Sequence, residues 1–180
     1  MRGTLYIVAA PSGAGKSSIV NAVLARDPNI SLSISFTSRQ PRPGERHAEH
    51  YHFVGAQEFE AMVAAGDFFE HALVHGDVRA KVPDAVSVFI LPPSRAALEQ
   101  RMRKRGQDSD EVIAQRLAAA REEMSHYGEF DYVIVNEDFE TAVDEMCSIF
   151  TASRLRKDAQ VARHAQLLMS LLTDDPDQPG

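Results

Sequence analysis

The chain has 180 residues, 44% of them hydrophobic and 25% charged, with a formal net charge of −7. That is one domain of ordinary size with apolar material for a core, and its acidity argues against nucleic acid as the main partner. A lone cysteine, Cys147, excludes an internal disulfide and suits a reducing compartment; it reads as a small core residue on a helix.

Thr4 to Ala9 is short, apolar and β-branched, and reads as a buried strand. The first apolar run, Leu5 to Ala10, is too short to span a membrane, so the cytoplasm is the expected location, with no membrane partner. Pro11 to Gly15 is a loop. Lys16 to Ala25 reads as a helix that stops before Asp27-Pro28. Leu32 to Phe36 alternates like a second strand. Thr37 to His50, polar with prolines and arginines, reads as a functional loop, and Tyr51 to Val54 as a short strand. Ala56 to Ala65 has helical apolar spacing at Phe59, Met62 and Val63, with Gly66 placed as its C-terminal cap. Phe68 to Val74 reads as another strand.

Val86 to Leu91 is a buried strand ended by Pro92-Pro93. Ser94 is placed to cap a helix through Lys104, and Gly106 breaks it. Asp108 with Glu111 has capping-box spacing for a helix up to about Tyr127. Tyr132 to Val135 is a last strand, followed by a long amphipathic helix over Phe139 to Leu172 with room for a break midway. Thr173 to Gly180 is an acidic, proline-containing tail, read as disordered. Strands alternating with helices predict an α/β fold with a largely parallel sheet.

Chemistry concentrates in three places. The run Ala10-Pro11-Ser12-Gly13-Ala14-Gly15-Lys16-Ser17, followed by Ser18, sits between a predicted strand and a predicted helix, the context a P-loop requires. Its glycines let backbone N–H groups turn inward toward phosphate oxygens, and the helix N-terminus adds partial positive charge. Lys16 can reach the β and γ phosphates, and the Ser17 hydroxyl can hold Mg²⁺. Ala10 stands where the usual first glycine would be.

The second place holds Ser35, Arg39, Arg42, Glu45 and Tyr51. Paired guanidinium forks in a loop stiffened by Pro41 and Pro43 suit a dianionic phosphate. By spacing alone, a solvated basic loop explains them equally well. The third is Arg101, Arg105 and Arg116. Phosphoryl transfer needs positioning and charge stabilisation more than covalent help, and arginines on a hinged segment supply both. By spacing alone, a surface face paired with Glu99, Asp110 or Glu111 explains these arginines better. His47, His50 and His52 crowd one loop without a metal-ligand pattern.

Taken together, these residues resemble the guanylate kinase family, bacterial in type, over nearly the whole chain. The segments that carry the likeness are APSGAGKSS (10–18), TSRQPRPGE (37–45), EHYHFV (49–54), FFEHA (68–72), FILPPS (89–94), RGQDSDEVIAQRL (105–117) and YVIVNED (132–138). The resemblance implies a P-loop NTPase core with a parallel sheet flanked by helices, plus a small GMP-binding flap and a lid. The core would comprise residues 1–34, 78–100 and 128–172, the GMP-binding region 35–77 and the lid about 101–127. The implied activity is transfer of the γ-phosphoryl of ATP to GMP, with Mg²⁺ as cofactor and GMP recycling as the setting. Ser12, Gly13, Ala14, Gly15, Lys16, Ser17, Ser18 and Asn136 would bind ATP, with Ser17 on the metal. Ser35, Arg39, Arg42 and Tyr51 would hold the GMP phosphate, and Glu45 and Glu70 would read the guanine. Lys16, Arg101, Arg105 and Arg116 would be catalytic. Whether the chain forms a homo-oligomer stays open. A different P-loop small-molecule kinase would share Lys16 but would not account for Glu45 with Glu70.

One departure stands out. In the family, the strand at Phe69 to Val74 leads to a Tyr-Gly-Ser/Thr element, a helix, and a strand ending in Asp-x-Asp. Here His75-Gly76-Asp77 runs directly into Val78-Arg79-Ala80-Lys81. The missing piece is about one helix and one strand, on the order of 30 residues. Either that segment is disordered and absent only from this sequence, or the chain truly lacks it and binds partners without catalysis. The first is the expectation, because deleting a central strand would expose buried edges. Asp77 and Val78 would then lie farther apart than the ~3.8 Å of a trans peptide, and the strand with the paired aspartates would be missing or weak.

Overall fold

A computed structural model describes residues 3–41, 44–49, 51–67, 82–104 and 109–173. In chain order its elements are β1 (Tyr6–Ala9), α1 (Lys16–Arg26), β2 (Phe36–Thr37), β3 (His52–Phe53), α2 (Ala56–Ala65), β4 (Val86–Leu91), α3 (Arg95–Lys104), α4 (Asp110–Ser125), a 3-10 turn (His126–Glu129), β5 (Tyr132–Val135), α5 (Phe139–Leu155), α6 (Lys157–Arg163) and α7 (Ala165–Leu172). They form two compact units, Met1–Asp27 with Ser87–Gly180, and Pro28–Val86.

The first unit is built on a three-stranded sheet in the order β1-β4-β5. β4 and β5 run parallel, with Val88 opposite Tyr132 and Leu91 opposite Val135. Parallel neighbours need a crossover, and α3 and α4 supply it. Val88, Phe89 and Ile90 of β4 are buried, as the unbroken apolar run predicts. Helix α1 packs on α5. Ile19 and Val23 on the first helix and Ala142, Val143, Met146 and Phe150 on the second are buried. Each of the larger side chains among them contributes about 1.5–3 kcal/mol on leaving water. Tyr6 meets Phe150 edge to face at 4.3 Å. Arg26 pairs with Glu140 and Asp144, and Arg154 with Asp27, along the α1–α5 seam. A second cluster joins α3 to α4 through Leu98, Met102, Ile113, Leu117 and Ala120.

The helix starts follow capping chemistry. Ser94 Oγ accepts from the Ala97 N–H at 3.0 Å, and Asp138 Oδ1 from the Thr141 N–H at 2.9 Å. For α4, however, the cap is Ser109, whose hydroxyl accepts from the Val112 N–H, and not Asp108 as the spacing to Glu111 suggested. Serine one residue later offers the same oxygen in the required extended conformation. Helix α4 ends at Ser125 rather than near Tyr127, tightening into the 3-10 turn. The long C-terminal helix is three helices. Arg156 is extended (ψ 143°) and His164 leaves helical geometry (φ −116°), so the chain turns twice. Cys147 lies half-buried on α5. No described helix is long and apolar enough to cross a membrane.

In the second unit, β2 pairs with β3, Phe36 opposite His52. The expected strand over Leu32 to Phe36 is shorter and shifted, reduced to Phe36–Thr37, because only those residues find a ladder partner. Helix α2 ends on Gly66 at φ 76°, whose N–H returns to the Val63 carbonyl. Glycine tolerates that left-handed geometry without a Cβ clash. The strand expected at Phe68 to Val74, the Asp77–Val78 junction and the tail beyond Thr173 lie outside the described residues.

Candidate nucleotide-binding site

The P-loop leaves β1 and enters α1. Gly13 and Gly15 adopt φ of 94° and 99°, values that L side chains rarely take. Both glycines are also pressed from behind. A Cβ on Gly13 would lie 3.1 Å from Leu98 Cδ1, and one on Gly15 would lie 2.4 Å from Asn136 Nδ2. The turn closes through the Ala14 N–H donating to the Pro11 carbonyl at 3.0 Å. Ala14 is buried, while Lys16, Ser17 and Ser18 are exposed at the first turn of α1. The first N–H groups of that helix have no intrahelical acceptor, so the turn presents donors and partial positive charge beside an exposed ammonium and hydroxyls.

Two guanidinium groups converge on this loop. Arg116 Nη2 donates to Ser12 Oγ at 2.7 Å. Arg101 Nη1 donates to the Ala14 carbonyl at 3.3 Å, and its Nη2 to the Asn136 carbonyl at 3.0 Å. Both of these Arg101 bonds thus go to backbone carbonyls and not to an acid. Arg103 pairs with Asp110 and, at 3.0 Å, with Glu99, and these carboxylates raise its pKa. Helical spacing explains the division: Arg101 shares the face of Leu98 and Met102, which lies under Gly13. Asn136 is buried and donates from Nδ2 to the Ala14 carbonyl at 2.6 Å. Its side chain braces the loop.

The second unit brings Arg39, Glu45 and Tyr51 together. Arg39 forms a two-pronged pair with Glu45, Nη1 to Oε2 at 2.6 Å and Nη2 to Oε1 at 2.8 Å. The bonded carboxylate raises the Arg39 pKa and keeps the guanidinium charged. Its carbon sits 4.9 Å from the centre of the Tyr51 ring, within cation–π range. Ser35 is exposed just before β2, and its carbonyl accepts from the His52 N–H at 2.8 Å. His47, given no role from sequence, accepts the Phe53 N–H on Nδ1 at 3.1 Å and so braces the loop. Arg42, Glu70 and Arg105 lie outside the described residues.

A guanylate kinase family model matches residues 2–80 and 75–153. The chain belongs to the guanylate kinase family. Relatives named guanylate kinase include one from Xanthomonas oryzae pv. oryzae, 68% identical over 202 residues, covering 96% of this chain and 100% of the relative. Another, from Xylella fastidiosa, is 63% identical over 203 residues with the same coverage. A crystal structure of guanylate kinase from Anaplasma phagocytophilum superimposes with a TM-score of 0.67 at 27% identity, over 89% of this chain and 95% of that one. The aligned stretch of 202 residues exceeds the 180 of this chain, so such relatives carry positions without a counterpart here. The two stretches matched by the guanylate kinase model meet at residues 75–80, around Asp77 and Val78, where the missing segment was expected.

Proposed function

We propose that the first unit binds ATP on its P-loop, the second binds GMP, and the chain transfers the γ-phosphoryl group to give ADP and GDP. The observation that carries the reading is the convergence of Arg101 and Arg116 on the P-loop, beside the exposed Lys16. Backbone N–H groups around Gly13 and Gly15 take phosphate oxygens, and Lys16 spans the β and γ phosphates. Arg116, with Arg101 and Arg105, offsets the charge that develops on the moving phosphoryl group. The Ser17 hydroxyl is exposed at the loop and is the hard oxygen donor that Mg²⁺ takes. When bound there with ATP, Mg²⁺ would neutralise phosphate charge.

On the acceptor side, Ser35, Arg39, Arg42 and Tyr51 hold the GMP phosphate, and Glu45 and Glu70 accept from the guanine ring N–H and its exocyclic amine. The Arg39–Glu45 pair has to loosen for each partner to meet its part of GMP. No side chain acts as a strong base, because the attacking phosphate oxygen is already ionised.

The test is ADP release with ATP and GMP, AMP or no acceptor. GMP should be used well and AMP poorly, since a base lacking the donors leaves the carboxylates unpaired. Lys16→Ala should cut turnover by orders of magnitude. Near-normal ADP production by that variant overturns the P-loop assignment. No ADP production by the parent with any acceptor would instead favour a module that binds without catalysis.

A further inference from the structure

Asn136 directly follows β5, and its backbone is held from both sides. Its N–H donates to the Leu91 carbonyl at 2.8 Å, extending the β4–β5 ladder, and its carbonyl accepts from Arg101 Nη2 at 3.0 Å. The buried side chain is thereby aimed at one atom, the Ala14 carbonyl, 2.6 Å from Nδ2. Ala14 is fully buried, so its carbonyl has to find protein donors. It has the Asn136 amide at 2.6 Å and the longer Arg101 bond at 3.3 Å.

The consequence lies in the next atom along the chain. In a planar trans peptide the carbonyl and the following N–H point in opposite directions. Holding the Ala14 carbonyl toward Asn136 turns the Gly15 N–H toward the opposite side of the loop. Among the described residues, no group accepts from that N–H. A second observation ties the same two residues together. A Cβ on Gly15 would stand 2.4 Å from Asn136 Nδ2, so the loop lies on this amide with no space for a methyl group.

We infer that Asn136 is a positioning residue: through the Ala14–Gly15 peptide it sets the direction of a phosphate-binding N–H, without touching the nucleotide itself. The inference rests on the proposed reading of the P-loop as the ATP site. It also explains the residue type. Aspartate has the same shape but no N–H to offer, and alanine leaves the carbonyl with the Arg101 bond alone.

The test titrates Mg-ATP and GMP separately into the full chain and then measures steady-state rates. Asn136→Asp and Asn136→Ala should bind ATP at least tenfold more weakly, with GMP affinity within twofold of the parent. Gly15→Ala should cost less ATP affinity beside Asn136→Ala than alone, because the atom it would strike is gone. ATP binding within twofold of the parent in both Asn136 variants, or equal losses for ATP and GMP, would overturn the inference. A measurement on the unaltered protein stands whether or not the variants fold. On adding ATP, the Gly15 amide NMR signal should shift strongly, while the Asn136 side-chain amide stays protected and nearly unmoved. A large shift of the Asn136 amide, as for direct nucleotide contact, refutes the positioning role. Failure of the unaltered protein to bind ATP would sink the P-loop reading and this inference together, whereas normal parental binding with unaffected variants sinks only the inference.

Discussion

Replacing Gly13 by alanine tests how the P-loop is built. The residue sits at φ 94°, so any Cβ adopts the left-handed region at a cost of roughly 1–2 kcal/mol. The added methyl would also lie 3.1 Å from Leu98 Cδ1 and 3.5 Å from Met102 Cγ. Leu98 and Met102 are 0% and 1% exposed, so neither can swing into solvent to make room. Overpacking of that kind costs about 1–3 kcal/mol. Together the two terms predict a loss of about 2–5 kcal/mol, or a melting temperature roughly 5–15 °C lower for a chain this size. The assay is urea denaturation alongside the KM for ATP. The KM should rise, because the strain is relieved by moving the loop away from α3 and its Arg101. Gly13→Ala with Leu98→Val should recover part of the stability, leaving the backbone term. If Gly13→Ala matches the parent in both stability and ATP KM, the reasoning from φ and contact distance is wrong.

Arg116→Ala should lower kcat by roughly ten- to a thousandfold, because its guanidinium reaches the phosphate loop at Ser12 Oγ; a kcat within twofold of the parent would contradict that. Ile19→Ala removes a fully buried side chain between α1 and the rest of its unit, and denaturation should show a loss of about 2–5 kcal/mol. Asp138 caps α5, and its bond from the Thr141 N–H lowers its pKa. The sign follows: a depressed carboxylate stabilises above its unfolded pKa and loses that contribution as pH falls through the lower folded value. Melting curves of Asp138→Ala should therefore lie below the parent at neutral pH and converge with it in acid below pH ~3.8.

The local elements were readable because each rests on short-range rules. The β-branched run of β4, the Gly66 cap and the Ser94 cap depend only on residues a turn apart, and the folded chain keeps all three. Where the reading slipped, two neighbouring solutions competed. Ser109 and Asp108 can both cap a helix, and an amphipathic stretch from Phe139 to Leu172 has the same periodicity whether it is one helix or three. The P-loop could be read as a motif because glycine freedom and a following helix are both written in adjacent residues.

What sequence determined by itself was therefore the α/β class, the phosphate loop and the family, all properties of contiguous segments. Which charged residues work together was decided only by tertiary structure. Spacing grouped Arg101, Arg105 and Arg116 beside Glu99, Asp110 and Glu111 and favoured surface pairing for them; it gave no part to Arg103. Folding sends Arg103 to Glu99 and Asp110 and turns Arg101 and Arg116 to the loop, because the buried faces, Leu98 and Met102 on α3 and Ile113 and Leu117 on α4, fix which way each side chain leaves its helix. Asn136 makes the same point from farther away. Its partner Ala14 is 122 residues distant in the chain, and only the register of β5 against β4 delivers its amide to that carbonyl.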